Sequence, residues 1–381
     1  MVSMALRTLL FLAVVLLVLG GACAYMAERS MALCPALAVH PGVVRGVMVL
    51  FAVLLFALPA LHRVPGLARA VDPMFGLSYG LFSFLSTYLP YLAAADLLQS
   101  LAGLFGLPLR AWAVPAAGTA ALVSALLGLA TALRPPEVRR VEVPIPDLPE
   151  DLDGFRIVQI SDLHLGPLVR RTWVDRLVAA GNALHPDLVA VTGDLADGEA
   201  EAVRAKAEPM GALRAAHGIF FVTGNHEYYS GVARWLAVVR DLGWRALHNE
   251  HALVQHGRAR LAVAGMPDPT ARGHPGAGDG PDLAKALAGI PGDALPILLF
   301  HPPLGTEAAE RAGVRLQLSG HTHAGQYFPW SPLVQRLYVH PKGLGRQGRL
   351  WIHTSVGTGF WGPPNRFLVP AELTLLVLKR G

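Results

Sequence analysis

Four apolar runs dominate the first 134 residues, at about 5–26, 43–61, 75–95 and 112–132, with breaks at Pro41, Pro59 and Pro108. A helix that crosses a bilayer needs roughly 20 such residues. It must also satisfy its backbone internally, because lipid offers no hydrogen-bond partner. Only three acids (Glu28, Asp72, Asp96) and seven arginines interrupt this region. It therefore reads as a multi-pass, all-α transmembrane region, residues 1–134, of about four helices. The first run has Arg7 before it and "ACA" near its end, which also fits a cleaved signal peptide. The three later runs keep the chain in the membrane either way. The third run is unusually polar, with Ser78, Ser83, Ser86, Thr87 and Tyr88, and Asp96 just beyond it. An ionisable residue near a span is a functional candidate unless it lies at the water interface.

Arginine placement suggests an orientation. With four spans, the side shared by the amino terminus, the 62–74 loop and the segment after 132 carries Arg7, Arg63, Arg69, Arg134, Arg139 and Arg140. The other side carries Arg29, Arg45 and Arg110. This asymmetry favours an inner (cell) membrane protein whose carboxy-terminal domain is cytoplasmic. The net charge of +5 divides into +4 on residues 1–134 and +1 on the rest. A near-neutral second part gives no support for a nucleic-acid-binding face. The two cysteines, Cys23 and Cys34, both lie in the apolar part, so no disulfide framework is expected in the polar domain.

Residues 135–154 mix proline with charge and read as a linker plus an edge strand at about 138–145. From 155 to 381 strand-like runs alternate with helix-like stretches. The runs are 155–160, 188–191, 219–222, 261–265, 297–300 and 315–319; helical spacing marks 172–184, 199–216, 231–242 and 281–289. That alternation predicts an α/β sheet with helices on its faces. The runs 350–356 and 372–378 follow one another without a helix, which predicts a more antiparallel closing portion. Residues 267–282 are rich in Gly and Pro and read as a mobile loop.

Polar residues stand just after nearly every run. "QISDLHLG" supplies Asp162 and His164, "VAVTGDLADG" Asp194 and Asp197, and "FFVTGNHEYY" Asn225 and His226. "LLFHPP" supplies His301, and "QLSGHTHAGQ" His321 and His323. Each signal alone has a bland reading as a turn, a helix cap or a satisfied histidine. Five in succession are hard to obtain from turns. In an open α/β sheet the carboxyl ends of the strands form the ligand crevice. Carboxylates, an amide and imidazoles gathered there suit divalent metals such as manganese, iron or zinc. Gly193, Gly224 and Gly320 are expected to permit the turns that bring these groups inward.

In order and spacing, D-x-H, G-D-x-x-D, G-N-H-E, H and G-H-x-H over about 155–378 resemble the calcineurin-like metallophosphoesterase superfamily. The resemblance implies a four-layer α/β/β/α sandwich holding two divalent metals. By position, Asp162, His164 and His323 look like ligands of a first metal. Asn225, His301 and His321 look like ligands of a second, and Asp194 looks like the bridge. His226 matches the family's catalytic histidine and Asp197 the acid that orients it. The implied reaction is attack of a metal-bridging hydroxide on a phosphomonoester or phosphodiester. "GDLADGE" puts Gly198 where the protein phosphatases of this superfamily carry arginine, which disfavours a phosphoprotein substrate. "GNHEYY", "GHTHAGQ" and "NRFLVPAEL" are similar to the bacterial membrane-linked branch. Some relatives there act on lipid-linked phosphates, including the UDP-diacylglucosamine pyrophosphatases.

Three readings follow. The first is hydrolysis of a phosphoester, including a lipid-linked one, beside the bilayer. The second is a membrane-tethered hydrolase of soluble nucleotides, and the third a non-catalytic, metal-stabilised sensor or interaction module. Every ligand position is filled, which favours the enzyme readings. Arg170, Arg171, Lys342, Arg346 and Arg366 are candidate phosphate contacts, against a default reading as solvated surface. Tyr228, Tyr229, Phe328, Trp330, Phe360 and Trp361 form either an apolar rim or core. His340 and His353 read as structural.

Overall fold

The computed structural model describes residues 4–62, 68–107, 109–274, 276 and 278–381. Arg63 of the expected loop, the break at Pro108, and residues 275 and 277 of the Gly/Pro-rich stretch lie outside the described residues. The chain divides into two compact units, Met1–Leu127 and Gly128–Gly381.

In the first unit the apolar runs fold into helices Met4–Leu33, Pro41–His62, Ala68–Gly103 and Arg110–Ala132. Among the described residues, Ala13–Leu33, Gly76–Gly103 and Trp112–Ala132 are long and apolar enough to cross a membrane. The described apolar stretch of the second run, Pro41–Leu55, is shorter than a span needs. Met26, Phe51, Leu85, Leu92, Ala117 and Ala121 form the interior of this bundle, while many leucines and valines stay exposed, as lipid-facing positions require. The polar residues of the third run tie helices together. Tyr88 bonds Ser30 at 2.7 Å, Tyr91 bonds Ser124 at 2.8 Å, and Asp96 pairs with Arg29. Asp96 therefore has a structural explanation.

The second unit contains twelve strands: β1 (Glu137–Ile145), β2 (Arg156–Ile160), β3 (Leu188–Val191), β4 (Ile219–Phe221), β5 (Arg245–Ala246), β6 (Glu250–His256), β7 (Ala259–Gly265), β8 (Ala294–Leu299), β9 (Leu316–Ser319), β10 (Gly343–Gln347), β11 (Leu350–Thr354) and β12 (Glu372–Arg380). They form two six-stranded sheets, ordered β1-β12-β2-β3-β4-β5 and β10-β11-β9-β8-β7-β6. The closing strands are mixed. β12 is antiparallel to β2 but parallel to β1, and β11 is antiparallel to β10 but parallel to β9.

Strand runs without polar alternation follow from burial on both faces. Ile157, Leu188 and Ala190 face the layer between the sheets, where they meet Leu261, Val263, Ile297, Leu299, Leu316 and Leu318. Their neighbours Val158, Val189 and Val191 point the other way, onto a helical layer that includes Val174, Leu177, Val203 and Trp235. On the far face of the second sheet, Leu298 and Phe300 pack with Ala286 and Ala309. Helix, sheet, sheet and helix layers give the α/β/β/α sandwich.

The helical stretch expected at 199–216 is shorter. An α-helix runs Ala200–Ala207, then a 3₁₀ turn Glu208–Ala212 begins at Pro209, whose ring and missing N–H end the α-helical ladder.

One polar bridge crosses the layer between the sheets. The buried Gln159 amide of β2 donates to Thr192 Oγ1 at 3.0 Å and to the Ser319 carbonyl of β9 at 2.8 Å. Its carbonyl oxygen lies 2.7 Å from Nδ1 of the buried His353 on β11. Burial holds the His353 imidazole below its ordinary pKa, so it is neutral and structural. Gln159→Leu should strand these partners and cost about 1–3 kcal/mol. For a domain of this size that lowers the unfolding midpoint by roughly 2–4 °C per kcal/mol. Differential scanning calorimetry of the membrane-reconstituted protein checks this; an unchanged midpoint would remove the bridge from the stability account.

Candidate metal centre

All nine candidate residues follow the carboxyl ends of parallel strands, and they converge. Asp162 and His164 follow β2, Asp194 and Asp197 follow β3, and Asn225 and His226 follow β4, all from the first sheet. His301 follows β8 and His321 and His323 follow β9, from the second.

Among the described residues, three groups of side chains could each hold a metal ion: Asp162–His164–His323, His164–Asp194–His226 and Asp194–His301–His321. His164 Nε2 lies 3.0 Å from His323 Nε2, which is 3.4 Å from Asp162 Oδ1. His321 Nδ1 lies 3.1 Å from Asn225 Oδ1. Donors bonded to one ion at about 2.1 Å stand roughly 3 Å apart, which is the spacing seen here. His301 supplies an independent test of fit. Its Nδ1 lies 2.7 Å from the Thr192 carbonyl, which fixes the proton there. Its Nε2 is buried without a hydrogen-bond partner, although Asp194 Oδ2 is 3.2 Å away, unaligned. A buried imidazole nitrogen with no aligned protein partner, beside a carboxylate, fits a metal-ligand position.

The backbone is distorted at five of the candidate ligands. Asp162, His164, Asp194, His321 and His323 have φ of 53°, 49°, 53°, 72° and 47°. Left-handed backbone costs a residue with a side chain of order 1 kcal/mol, and such outliers cluster at functional sites. The glycines contribute in two ways. Gly193 has φ of 92° and so uses glycine's freedom in a turn. Gly224 and Gly320 are needed for space, since a Cβ would meet the Asp194 backbone N at 2.6 Å at the first and the Asp162 carboxylate at the second.

Charge is distributed unevenly. Burial pushes the His164 and His321 imidazoles down to about 4. Burial, joined by the Arg366 guanidinium, holds His323 well below the ordinary range. These three are neutral, the state a metal ligand requires. Burial also opposes a charge on His301, but the Asp194 carboxylate outweighs it and raises this imidazole well above its usual value. His226 is likewise raised, burial being overcome by Asp197 and Asp194. Burial works against the Asp194 charge, yet His301 and His164 hold its pKa down. Asp162 rises to about 6, chiefly through burial.

His226 is half-buried; its Nδ1 is 3.7 Å from Asp197 Oδ1, within ion-pair range. Its ring lies edge-on to His164 at 4.6 Å between centroids, and Tyr229 and Trp361 flank it at 5.5 and 6.0 Å.

Two supporting residues have roles that the sequence does not show. Glu227, the last letter of G-N-H-E, is fully buried and accepts backbone N–H bonds from Asp194 (3.0 Å), Ala196 (2.9 Å) and Gly224 (2.6 Å). Burial, with the nearby Asp194 charge, lifts its carboxyl to about 7. Arg366, one of the five candidate phosphate contacts, is buried instead of solvated. It donates to the Val356 and Gly359 carbonyls, and its Nη2 is 3.0 Å from His323 Nδ1. The aromatic set splits: Tyr228 and Phe360 are buried, while Tyr229 and Trp361 are exposed at the site mouth.

The calcineurin-like phosphoesterase family model matches residues 155–325. An uncharacterized metallophosphoesterase of Aquifex aeolicus (strain VF5) is 30% identical over 245 residues, covering 64% of this chain and 91% of that protein. The chain belongs to the calcineurin-like metallophosphoesterases. "Transmembrane protein with metallophosphoesterase domain" of Danio rerio is 40% identical over 266 residues, covering 68% of this chain and 61% of that protein. Its Bos taurus namesake is 40% identical over 267 residues, covering 68% and 60% respectively. The chain thus spans about three-fifths of the length of these two relatives. The family is metal-dependent, and the metallophosphoesterase domain carries the donor groups for it.

Glu227→Gln tests the scaffold of this domain. One amide NH₂ would replace an acceptor oxygen and face a backbone N–H. The variant should lose about 1–3 kcal/mol of stability and retain less metal on dialysis, read by calorimetry and elemental analysis. Wild-type stability and metal retention would show that the three hydrogen bonds do not hold the loops.

Proposed function

We propose that this protein is a multi-pass membrane hydrolase of phosphomonoesters or phosphodiesters, with a two-metal centre. One observation carries the reading. Asp194 belongs both to a group with His164 and to a group with His301 and His321. Its Oδ2 is 3.8 Å from His164 Nε2 and 3.2 Å from His301 Nε2. On this reading Asp162, His164 and His323 hold one ion, Asn225, His301 and His321 hold the other, and Asp194 is shared. The oxygen and nitrogen donors suit manganese, iron or zinc. Such a pair, when bound, supplies a water of lowered pKa and polarises the phosphoryl oxygens.

The remaining steps fall to the chain's own residues. His226 gives its Nε2 proton to the departing alkoxide as the phosphorus–oxygen bond breaks. Asp197 faces Nδ1 and keeps the ring turned towards the leaving group. Arg366 and Glu227 fix the loops that carry His323 and Asp194.

If helix Pro41–His62 crosses the bilayer along with the three longer apolar helices, the arginine asymmetry favours an inner-membrane protein with a cytoplasmic catalytic domain. A membrane-borne ester is the favoured substrate, because several apolar helices exceed what an anchor needs. Product analysis after incubating metal-loaded full-length protein with lipid phosphoesters and with nucleotides separates that substrate from soluble ones.

Asp194→Asn should lower metal content at both positions and abolish hydrolysis; full occupancy by elemental analysis with normal turnover would refute the shared-ligand assignment. His226→Ala should keep its metal yet lose about 10²–10⁴-fold in rate on alkyl esters. The loss should shrink on nitrophenyl esters, whose leaving groups need little protonation. An equal loss on both would exclude leaving-group protonation by His226.

A further inference from the structure

The segment from His321 to Ala371 contains no aspartate or glutamate, yet it carries Arg336, Lys342, Arg346, Arg349 and Arg366. Elsewhere the metallophosphoesterase domain is nearly charge-balanced; Arg349 pairs with Asp147 and Arg366 is buried, which leaves Arg336, Lys342 and Arg346 as the segment's exposed cationic excess. The segment also carries a bare apolar ridge. Helix Ser331–Leu337 places Leu333 and Leu337 four residues apart, on one face. Leu337 is 71% exposed and Val339, just beyond the helix, is 84% exposed. Arg336 and Lys342 are exposed alongside.

This ridge belongs to the mouth of the metal centre. Tyr338 lies edge-on to His321 at 6.3 Å, and Thr322 Oγ1 donates to the Pro341 carbonyl at 2.7 Å. Tyr229 and Trp361 are exposed beside His226, at the same candidate centre. Apolar side chains interleaved with lysine and arginine and lacking carboxylates are the composition of a surface lying in the headgroup layer of an anionic bilayer. Only residues 133–136 separate helix Arg110–Ala132, part of which is long and apolar enough to cross a bilayer, from β1.

We propose that Leu333, Leu337 and Val339, together with Tyr229 and Trp361 and with Arg336 and Lys342 alongside, dock the site mouth onto an anionic phospholipid surface. This rests on the reading of a membrane phosphoester hydrolase and adds how a lipid phosphate reaches the centre. The ridge takes the acyl-chain boundary, and the cations take the phosphate layer. A lipid headgroup then meets the centre without leaving the bilayer.

Depth of insertion tests this without needing turnover. Full-length protein with Cys23→Ala and Cys34→Ala is reconstituted into vesicles of phosphatidylcholine and phosphatidylglycerol with brominated acyl chains. A thiol-reactive fluorophore is placed at Val339→Cys or, as a control, at Arg258→Cys in the β6–β7 turn, at the opposite end of the parallel strands. Quenching at position 339 should exceed that at 258 roughly threefold. It should fall to the control level when Leu333→Glu and Leu337→Glu are added, with metal content unchanged. Equal quenching at both positions overturns the proposal. So does shielding at 339 that ignores brominated lipid and grows with protein density, which would assign the ridge to a second copy. If no ester is hydrolysed, strong quenching still supports docking; if esters are hydrolysed without it, docking falls alone.

Discussion

Three backbone N–H groups converge on the buried Glu227 carboxylate, and the geometry of the metal centre depends on that convergence. Asp194 and Ala196 belong to the turn after β3, and Gly224 to the turn after β4. One side chain thus clamps two loops whose residues would not hold these conformations alone. Asp194 itself has a left-handed backbone, which needs an external restraint to persist. The restraint also aims Asp194 away from Glu227: its Oδ1 accepts the His226 N–H at 2.9 Å, leaving Oδ2 for the centre. Asp162 is treated similarly. Ser161 Oγ donates to its Oδ2 at 2.6 Å, and the His321 N–H approaches both carboxylate oxygens. The candidate ligands are therefore oriented by the protein.

The two sheets contribute unequal chemistry. The first sheet brings every carboxylate of the centre, and the second brings three imidazoles. Neither set is complete alone. The centre exists only where the two sheets' strand ends meet. The Gln159 bridge to Ser319 and His353 couples them directly below.

Much of this was legible in the sequence because each ligand pair is local. D-x-H, G-N-H and G-H-x-H each place their donors within three residues, beside an apolar strand that shows in composition. The apolar strands were visible for the same reason: both faces are buried. Glu227 as a clamp, Gln159 as a bridge and Arg366 as a brace for His323 were not legible, since their partners lie up to 194 residues away. β6 and β10 also escaped. β6 alternates exposed and buried positions at a sheet edge, and β10 reads "GLGRQ", with little apolar signal. The glycines were flagged correctly, but Gly224 and Gly320 matter for close approach more than for turning.

The position of β12 orders the domain in time. It lies between β1 and β2, pairing nine residues with β1 and four with β2, although it follows every other strand in the chain. On the ribosome, β1 and β2 emerge early, yet they cannot become neighbours of a finished sheet until residues 372–380 are made. The turn before β12 arrives late too, and Thr358 exchanges hydrogen bonds with the Ser161 backbone beside Asp162. The apolar helices are thus synthesised and available to the membrane long before the centre can assemble. Strand order thus puts synthesis of the apolar helices well before completion of the sheet that carries the candidate carboxylates.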